Sequence, residues 1–197
     1  MNKKIVFIFA IICIFVFLIF YYIFLINGNN KIRNQNEFVE DILGDLKKYD
    51  ANVDILIRSN KNENIYNMQQ VVDEDYSKFI INSPENIKGL TIEINNRNLR
   101  VTNKNIEMEK IFENYNSVVN NSLFLNAFIK EFENNESTVY EENGEILIEI
   151  FLKNENTYIK SKVLYLDKEN KMPKKLIIKD YAQNINTSII YNDIKIK

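Results

Sequence analysis

The sequence predicts a mainly β, α+β chain: a strongly curved antiparallel sheet with helices packed in its concavity, preceded by one transmembrane helix. Three observations predict it. One unbroken apolar run stands near the N-terminus, apolar residues recur with a period of two over most of the remainder, and the segments between these runs are short and rich in turn-forming residues.

From Ile5 to Ile26 every residue is apolar or tyrosine, 22 positions of which 18 are Ile, Leu, Val or Phe. A helix of that length reaches across a hydrocarbon core about 30 Å thick. At a few tenths of a kcal/mol per apolar residue, the run favours insertion by roughly 5 kcal/mol. A cleaved signal peptide has a shorter apolar stretch, about 7 to 15 residues. A lipoprotein signal using Cys13 wants a small side chain just before the cysteine, whereas the run here is Ala10-Ile11-Ile12-Cys13, with a long greasy tail after it. The anchor is therefore expected to stay on the protein, marked by Ile5, Phe15, Phe20 and Ile26 and in contact with membrane lipid. Tyr21 and Tyr22 favour the far interface, and Lys3 and Lys4 favour the cytoplasmic side. This reading puts a cytoplasmic tip and anchor at 1–27, a polar stalk at 28–36 and an extracytoplasmic domain at 37–197, in the cell membrane.

The domain opens on Phe38, Val39, Ile42, Leu43 and Leu46, a helical spacing that breaks near Tyr49. The period then switches to two. Val53, Ile55 and Ile57, then Tyr66 to Val72, Phe79 and Ile81, Ile92 and Ile94, and Leu99 and Val101 predict successive strands. Asn95-Asn96-Arg97-Asn98 reads as a hairpin loop, and loops this short make antiparallel neighbours. A second helix is predicted over Ser122 to Phe132, with Ser122 as its cap and Leu125, Phe128, Ile129 and Phe132 on one face. Strands resume at Ile146 to Ile150, Ile159 to Tyr165, Leu176 to Ile178 and Ile189 to Tyr191, which makes about nine strands and two or three helices. Leu56, Leu147, Leu164 and Leu166 are apolar residues on a second strand face, so parts of the sheet are covered on both sides.

Composition removes most catalytic chemistry. The chain has no histidine, which excludes Ser-His-Asp and Cys-His mechanisms and the usual zinc sites. Its one cysteine lies inside the apolar run, and no phosphate-cradling glycine motif occurs. Without Lys3 and Lys4 the chain holds 23 basic against 27 acidic residues, a balance with no pull on nucleic acid. Carboxylates at Asp73, Glu74 and Asp75, and at Glu141 and Glu142, sit in predicted turns. A hydrolase would need two of them about 5 to 9.5 Å apart in a cleft. No catalytic residue, metal ligand or cofactor is expected. The aromatic helix allows two readings: Phe124, Leu125, Phe128, Ile129 and Phe132 either line an apolar cavity for a greasy ligand or fill the core. An exposed strand edge, placed near Asn186 to Ile196, would let a partner or a second copy pair as a homodimer.

Three stretches resemble a known family. They are Tyr49-Asp50-Ala51 through Ile57 with Tyr66-Asn67-Met68-Gln69-Gln70; Tyr76-Ser77-Lys78-Phe79 with Ser83-Pro84, Gly89 and Ile92 to Leu99; and Leu164-Tyr165-Leu166-Asp167 with Met172-Pro173-Lys174-Lys175-Leu176 and Asp180-Tyr181. From Phe38 onward the chain resembles the LolA/LolB lipoprotein-carrier fold, a half-open antiparallel β-barrel closed by helices, and more narrowly the GerS germination lipoproteins of spore-forming clostridia. The resemblance implies a non-catalytic accessory protein of the sporulation envelope that binds an N-acetylmuramoyl-L-alanine amidase of the CwlD type and is needed for spore germination, at the forespore membrane during sporulation. The LolA side of it implies instead an anchored receptor or carrier for an apolar ligand or lipid. The chain departs from GerS and LolB at its front, where a helical anchor replaces the lipidated cysteine, and a tethered domain cannot shuttle cargo between membranes.

Overall fold

The computed structural model describes residues 17–19, 21, 37–59, 61–73, 76–95, 98–114, 124–153 and 158–197. The chain divides into two compact units, Met1–Ile42 and Leu43–Lys197. In the first, residues 17–19 and 21 are helical and exposed, while Ile5, Phe15, Phe20 and Ile26 lie outside the described residues. Among the described residues no helix is long and apolar enough to cross a membrane. Helix α1 covers 37–45, and its stripe of Val39, Ile42, Leu43 and Leu46 is buried, as the helical spacing predicts. It tightens at its end, where the Leu46 and Lys47 amides donate to the Leu43 and Gly44 carbonyls.

The second unit is built on one antiparallel sheet. Its elements are β1 (Tyr49–Arg58), β2 (Glu63–Asp73), β3 (Tyr76–Ser83), β4 (Leu90–Asn95), β5 (Asn98–Asn103), β6 (Met108–Phe112), α2 (Leu125–Phe132), β7 (Glu136–Glu142), β8 (Glu145–Phe151), β9 (Ile159–Asp167), β10 (Pro173–Asp180) and β11 (Ile185–Ile196). The strands lie in the order β6-β5-β4-β3-β2-β1-β11-β10-β9-β8-β7. Two runs of hairpins, β1 to β6 and β7 to β11, are thus joined where the first strand meets the last, from Tyr49 opposite Ile196 to Ile57 opposite Thr187. The predicted hairpin is present, with Asn95 paired to Asn98.

The structure corrects three expectations. Among the described residues eleven strands stand where about nine were expected, and β6 and β7 are the additions. Both lie at the ends of the sheet and are largely exposed, β6 at every residue, so no buried face demands apolar residues at alternate positions and neither carries a clean period of two. Helix α2 begins at Leu125 with Phe124 as its cap, and Phe124 makes no capping side-chain bond. Ser122 lies outside the described residues. The third correction concerns the strand edge. Residues 186–196 belong to β11, which pairs with β1 from Thr187 to Ile196 and with β10 from Ile185 to Ile190, so the chain itself covers both edges over residues 187–190, while residues 191–196 pair with β1 alone.

The core lies between α2 and one face of the sheet. Alternate residues of neighbouring strands fall on this face in register: Tyr49, Val53 and Ile55 of β1, Val72 of β2, Phe79 of β3, Ile148 and Ile150 of β8, Leu164 of β9, Leu176 of β10 and Ile189 of β11, each at most 1% exposed. On α2, Leu125, Phe128, Ile129 and Phe132 are buried at i, i+3, i+4 and i+7. Three contacts hold the helix down. The Phe124 ring stacks on Phe79 at 3.8 Å between centroids and 8° between planes. The backbone of Leu125, whose N–H has no partner within the helix, hydrogen-bonds the Tyr49 hydroxyl. Glu131 forms an ion pair with Lys162 of β9, a lysine with no exposed surface.

The opposite face is also covered over β8 to β10, where Leu147, Val163 and Ile177 form a small second cluster against Tyr165. That is the two-sided burial expected from the extra leucines, although Leu164 and Leu166 face the core and Leu147 the far side. Over β1 to β3 this face carries a polar row stitched across strands. Asn82 donates to Asn67 at 2.9 Å, Asn67 to Asp54 at 2.7 Å, and Asn192 to Asp54 at 2.6 Å. A register shift between Asn52 and Val53 leaves Asn192 as the extra residue of a bulge and aims its amide at Asp54. The Asn67 and Asn192 amides hold the Asp54 carboxyl below the ordinary carboxylate range.

Candidate functional site

Strand β6 is the terminal strand of the sheet, paired on one side only, with Leu99 opposite Phe112 and Asn103 opposite Met108. Its other backbone edge meets no strand among the described residues. All five of its residues are exposed. Met108 is 37%, Ile111 55% and Phe112 40% exposed, and Ile106, in the turn just before, is 67% exposed. Register places Met108, Lys110 and Phe112 on the core side of the sheet and Glu109 and Ile111 on the other. Large apolar groups therefore occur on both faces of this terminal strand. Lys110 carries its ammonium 4.9 Å from the centre of the Phe112 ring, which tethers the ring at the rim. Sheet edges are ordinarily blunted by charge, a bulge or a covering segment. This one offers backbone donors and acceptors together with apolar side chains, the combination that an added strand needs.

The other terminal strand, β7, differs in kind. Three of its seven residues are glutamates and two more are Ser137 and Thr138, and Glu136 and Glu141 are ion-paired to Lys153 and Lys168. Tyr140 is its one exposed large apolar residue.

The residues singled out in the sequence fall as follows. Leu125, Phe128, Ile129 and Phe132 are buried and Phe124 is half-buried against Phe79. Asp73 ends β2 opposite Tyr76 and forms an ion pair with Lys48 at 3.2 Å, while Glu74 and Asp75 lie outside the described residues. Glu141 and Glu142 end β7, exposed. Among the described residues no cluster of acids could hold a metal ion. Sequence reasoning missed β6, whose signal was present as Met108, Ile111 and Phe112 without alternation. It also missed Lys162 of β9, a charge that pairing sets between Ile150 and Ile178 on the neighbouring strands. Burial lowers the Lys162 ammonium below the ordinary lysine range, with Glu131 opposing the shift.

Comparison with solved structures places the chain beside the GerS lipoprotein, seen in the structure of the CwlD amidase from Clostridioides difficile in complex with that lipoprotein. The two are 25% identical, with a TM-score of 0.54 over 85% of this chain and 96% of the other. An uncharacterised conserved protein of Thermus thermophilus shares the fold at 10% identity and a TM-score of 0.52, over 83% of this chain and 88% of its own. A LolA superfamily protein of Nitrosomonas europaea aligns at 13% identity and a TM-score of 0.41, over 80% and 92%. No curated protein matches the chain. The model of the YdcC-like sporulation proteins matches residues 3–197, essentially the whole length, and the chain therefore belongs to that sporulation protein family.

Proposed function

We propose that this protein is a non-catalytic, membrane-tethered accessory of the sporulation envelope that binds a cortex-modifying N-acetylmuramoyl-L-alanine amidase of the CwlD type and so serves germination. The observation that carries the reading is the likeness to GerS, a protein seen bound to an amidase, along 96% of the GerS chain. Membership of a sporulation family supports the setting. The unpaired, apolar β6 edge supports the mode, since an interface of ordinary size must bury about 1,200 to 2,000 Å² in total and needs such anchors. The 22-residue apolar run from Ile5 to Ile26 supports the tether, with the C-terminal domain outside the cytoplasm.

The test uses the full-length protein. It should co-purify with the CwlD-type amidase of the same organism, and that amidase alone should be weakly active on cortex peptidoglycan. Spores lacking the gene should keep peptide-substituted muramic acid where muramic lactam normally forms. Normal lactam in those spores, with no amidase bound by the pure protein, would sink the reading and bring forward a receptor for an apolar ligand.

A further inference from the structure

On the face of the sheet away from α2, strands β3 to β6 and the turns beside them enclose an open groove of about 830 Å³. Its floor consumes its own charges. Register sets Lys78, Glu93 and Arg100 side by side across three strands. Lys78 lies 3.0 Å and Arg100 3.8 Å from the Glu93 carboxylate, and Arg100 Nε lies 2.9 Å from Glu109. The next row is the cross-strand pair Thr91 and Thr102. One end is closed by the 3-10 turn Lys104–Ile106, pinned by Asn105 Nδ2 donating to the Lys88 carbonyl at 3.1 Å. Gly89 makes that closure possible. Its φ is +80°, and a Cβ there would stand 2.9 Å from Asn105 Nδ2.

Three groups at this end are left over. Among the described residues, Lys104 and Glu107 have no ion-pair partner and the Thr102 hydroxyl has no hydrogen bond, although all three line the groove. One ammonium and one carboxylate thus stand three residues apart on a single turn, above a floor of satisfied charges and hydroxyls. A ligand with one sign of charge would leave one of them unanswered. A glycan would find no aromatic face for its rings, since no aromatic side chain lines the groove. A lipid would find only Ile80 and Met108 as large apolar side chains in a lining otherwise made of charged and hydrogen-bonding groups.

We propose that this groove binds a short peptide bearing both a free carboxylate and an ammonium group, Lys104 receiving the carboxylate, Glu107 the ammonium, and Thr102 an amide of the peptide backbone. The inference does not rest on the amidase reading, although the stem peptide that an amidase sets free, with its new ammonium terminus and its carboxylates, is of this class. It stands or falls on binding to this protein alone.

The experiment titrates the solubilised full-length protein with synthetic Ala-γ-Glu-Lys by calorimetry. The same peptide acetylated on both its amines and amidated on both its carboxylates is the second arm, and chitobiose the third. The unmodified peptide should bind saturably, and blocking its charged groups should weaken binding by more than about 10-fold, since two charge-assisted bonds are lost. Lys104→Ala and Glu107→Ala, which lose one bond each, should each weaken it about 5- to 10-fold, and Lys104→Arg should retain it. Both side chains are exposed, so thermal unfolding should not move. Absence of saturable binding at millimolar peptide overturns the proposal. So does chitobiose binding in place of peptide, or equal affinity in the wild type and both alanine variants.

Discussion

Two tyrosines put phenol hydroxyls into the same core and treat them in opposite ways. The Tyr49 hydroxyl donates to Gln70 Oε1 at 3.2 Å and is met by the Leu125 backbone, whereas the Tyr191 hydroxyl is buried without a partner among the described residues. Burial pushes both phenols above the ordinary tyrosine range, and Tyr49 adds to the effect on Tyr191. Tyr191→Phe removes an orphaned group and should stabilise the protein by about 1 kcal/mol. Tyr49→Phe strands a fully buried glutamine and one helix N–H, and should cost about 1 to 2 kcal/mol. A phenol whose pKa is raised by folding contributes stability that is complete below the unfolded value near 10 and is lost as pH climbs beyond it. The alkaline unfolding midpoint of Tyr191→Phe should therefore lie at higher pH than that of the wild type. Urea unfolding at neutral pH, repeated above pH 10, checks both signs, and a destabilised Tyr191→Phe would mean that the hydroxyl has a partner.

At the scale of an element, α2 depends on an ion pair of unequal members. Lys162 has no exposed surface and Glu131 keeps 30% of its side chain exposed. Removing the anion alone leaves a buried cation without its counter-charge, a loss of about 3 to 5 kcal/mol for fully buried pairs. Solvent reaches Glu131, so Glu131→Gln should cost nearer 2 kcal/mol. Lys162→Met should be neutral or stabilising, because the lysine has given up its hydration to sit among apolar residues. The sign follows from its lowered pKa: holding the cation costs stability at neutral pH, and the cost fades as pH rises from the folded value toward the unfolded one near 10.4. The gain from Lys162→Met in urea midpoint should thus be larger at pH 7 than at pH 10, and a strongly destabilised Lys162→Met would refute the account. The helix itself was legible in the sequence, because Leu125, Phe128, Ile129 and Phe132 must share one buried face. Its anchorage was not. The Phe124 stack, the Tyr49 hydroxyl and the Lys162 pair join residues far apart in the chain, and periodicity carries no information on which strand lies beneath which turn.

At the scale of the molecule, the pairing of β1 with β11 decides where the sheet ends. Every other neighbouring pair of strands is consecutive in the chain, so the hairpins from β1 to β5 and from β8 to β11 could be read from alternation and turn residues alone. The closing of first strand on last could not, since β11 reads locally like any edge strand. Residues 187–190 of the edge expected at 186–196 are for that reason interior, and the strands that end the sheet are β6 and β7, of which β6 carries more exposed apolar side chains. This correction carries the last prediction. If β6 docks the amidase, a charge placed on its exposed apolar residues should remove binding without touching the fold, because Ile111 and Phe112 are 55% and 40% exposed and lie at the rim. Ile111→Lys and Phe112→Glu should each weaken the complex by about 30-fold, the effect of losing an interface anchor worth about 2 kcal/mol. Tyr140→Lys on β7, also 40% exposed, is the matched control and should leave affinity unchanged. Affinity is read by titrating the full-length variants against the amidase, with urea midpoints run in parallel. Should Tyr140→Lys cost as much as the β6 variants, or should neither β6 variant weaken the complex, the amidase is held by another surface and β6 is an edge without a partner.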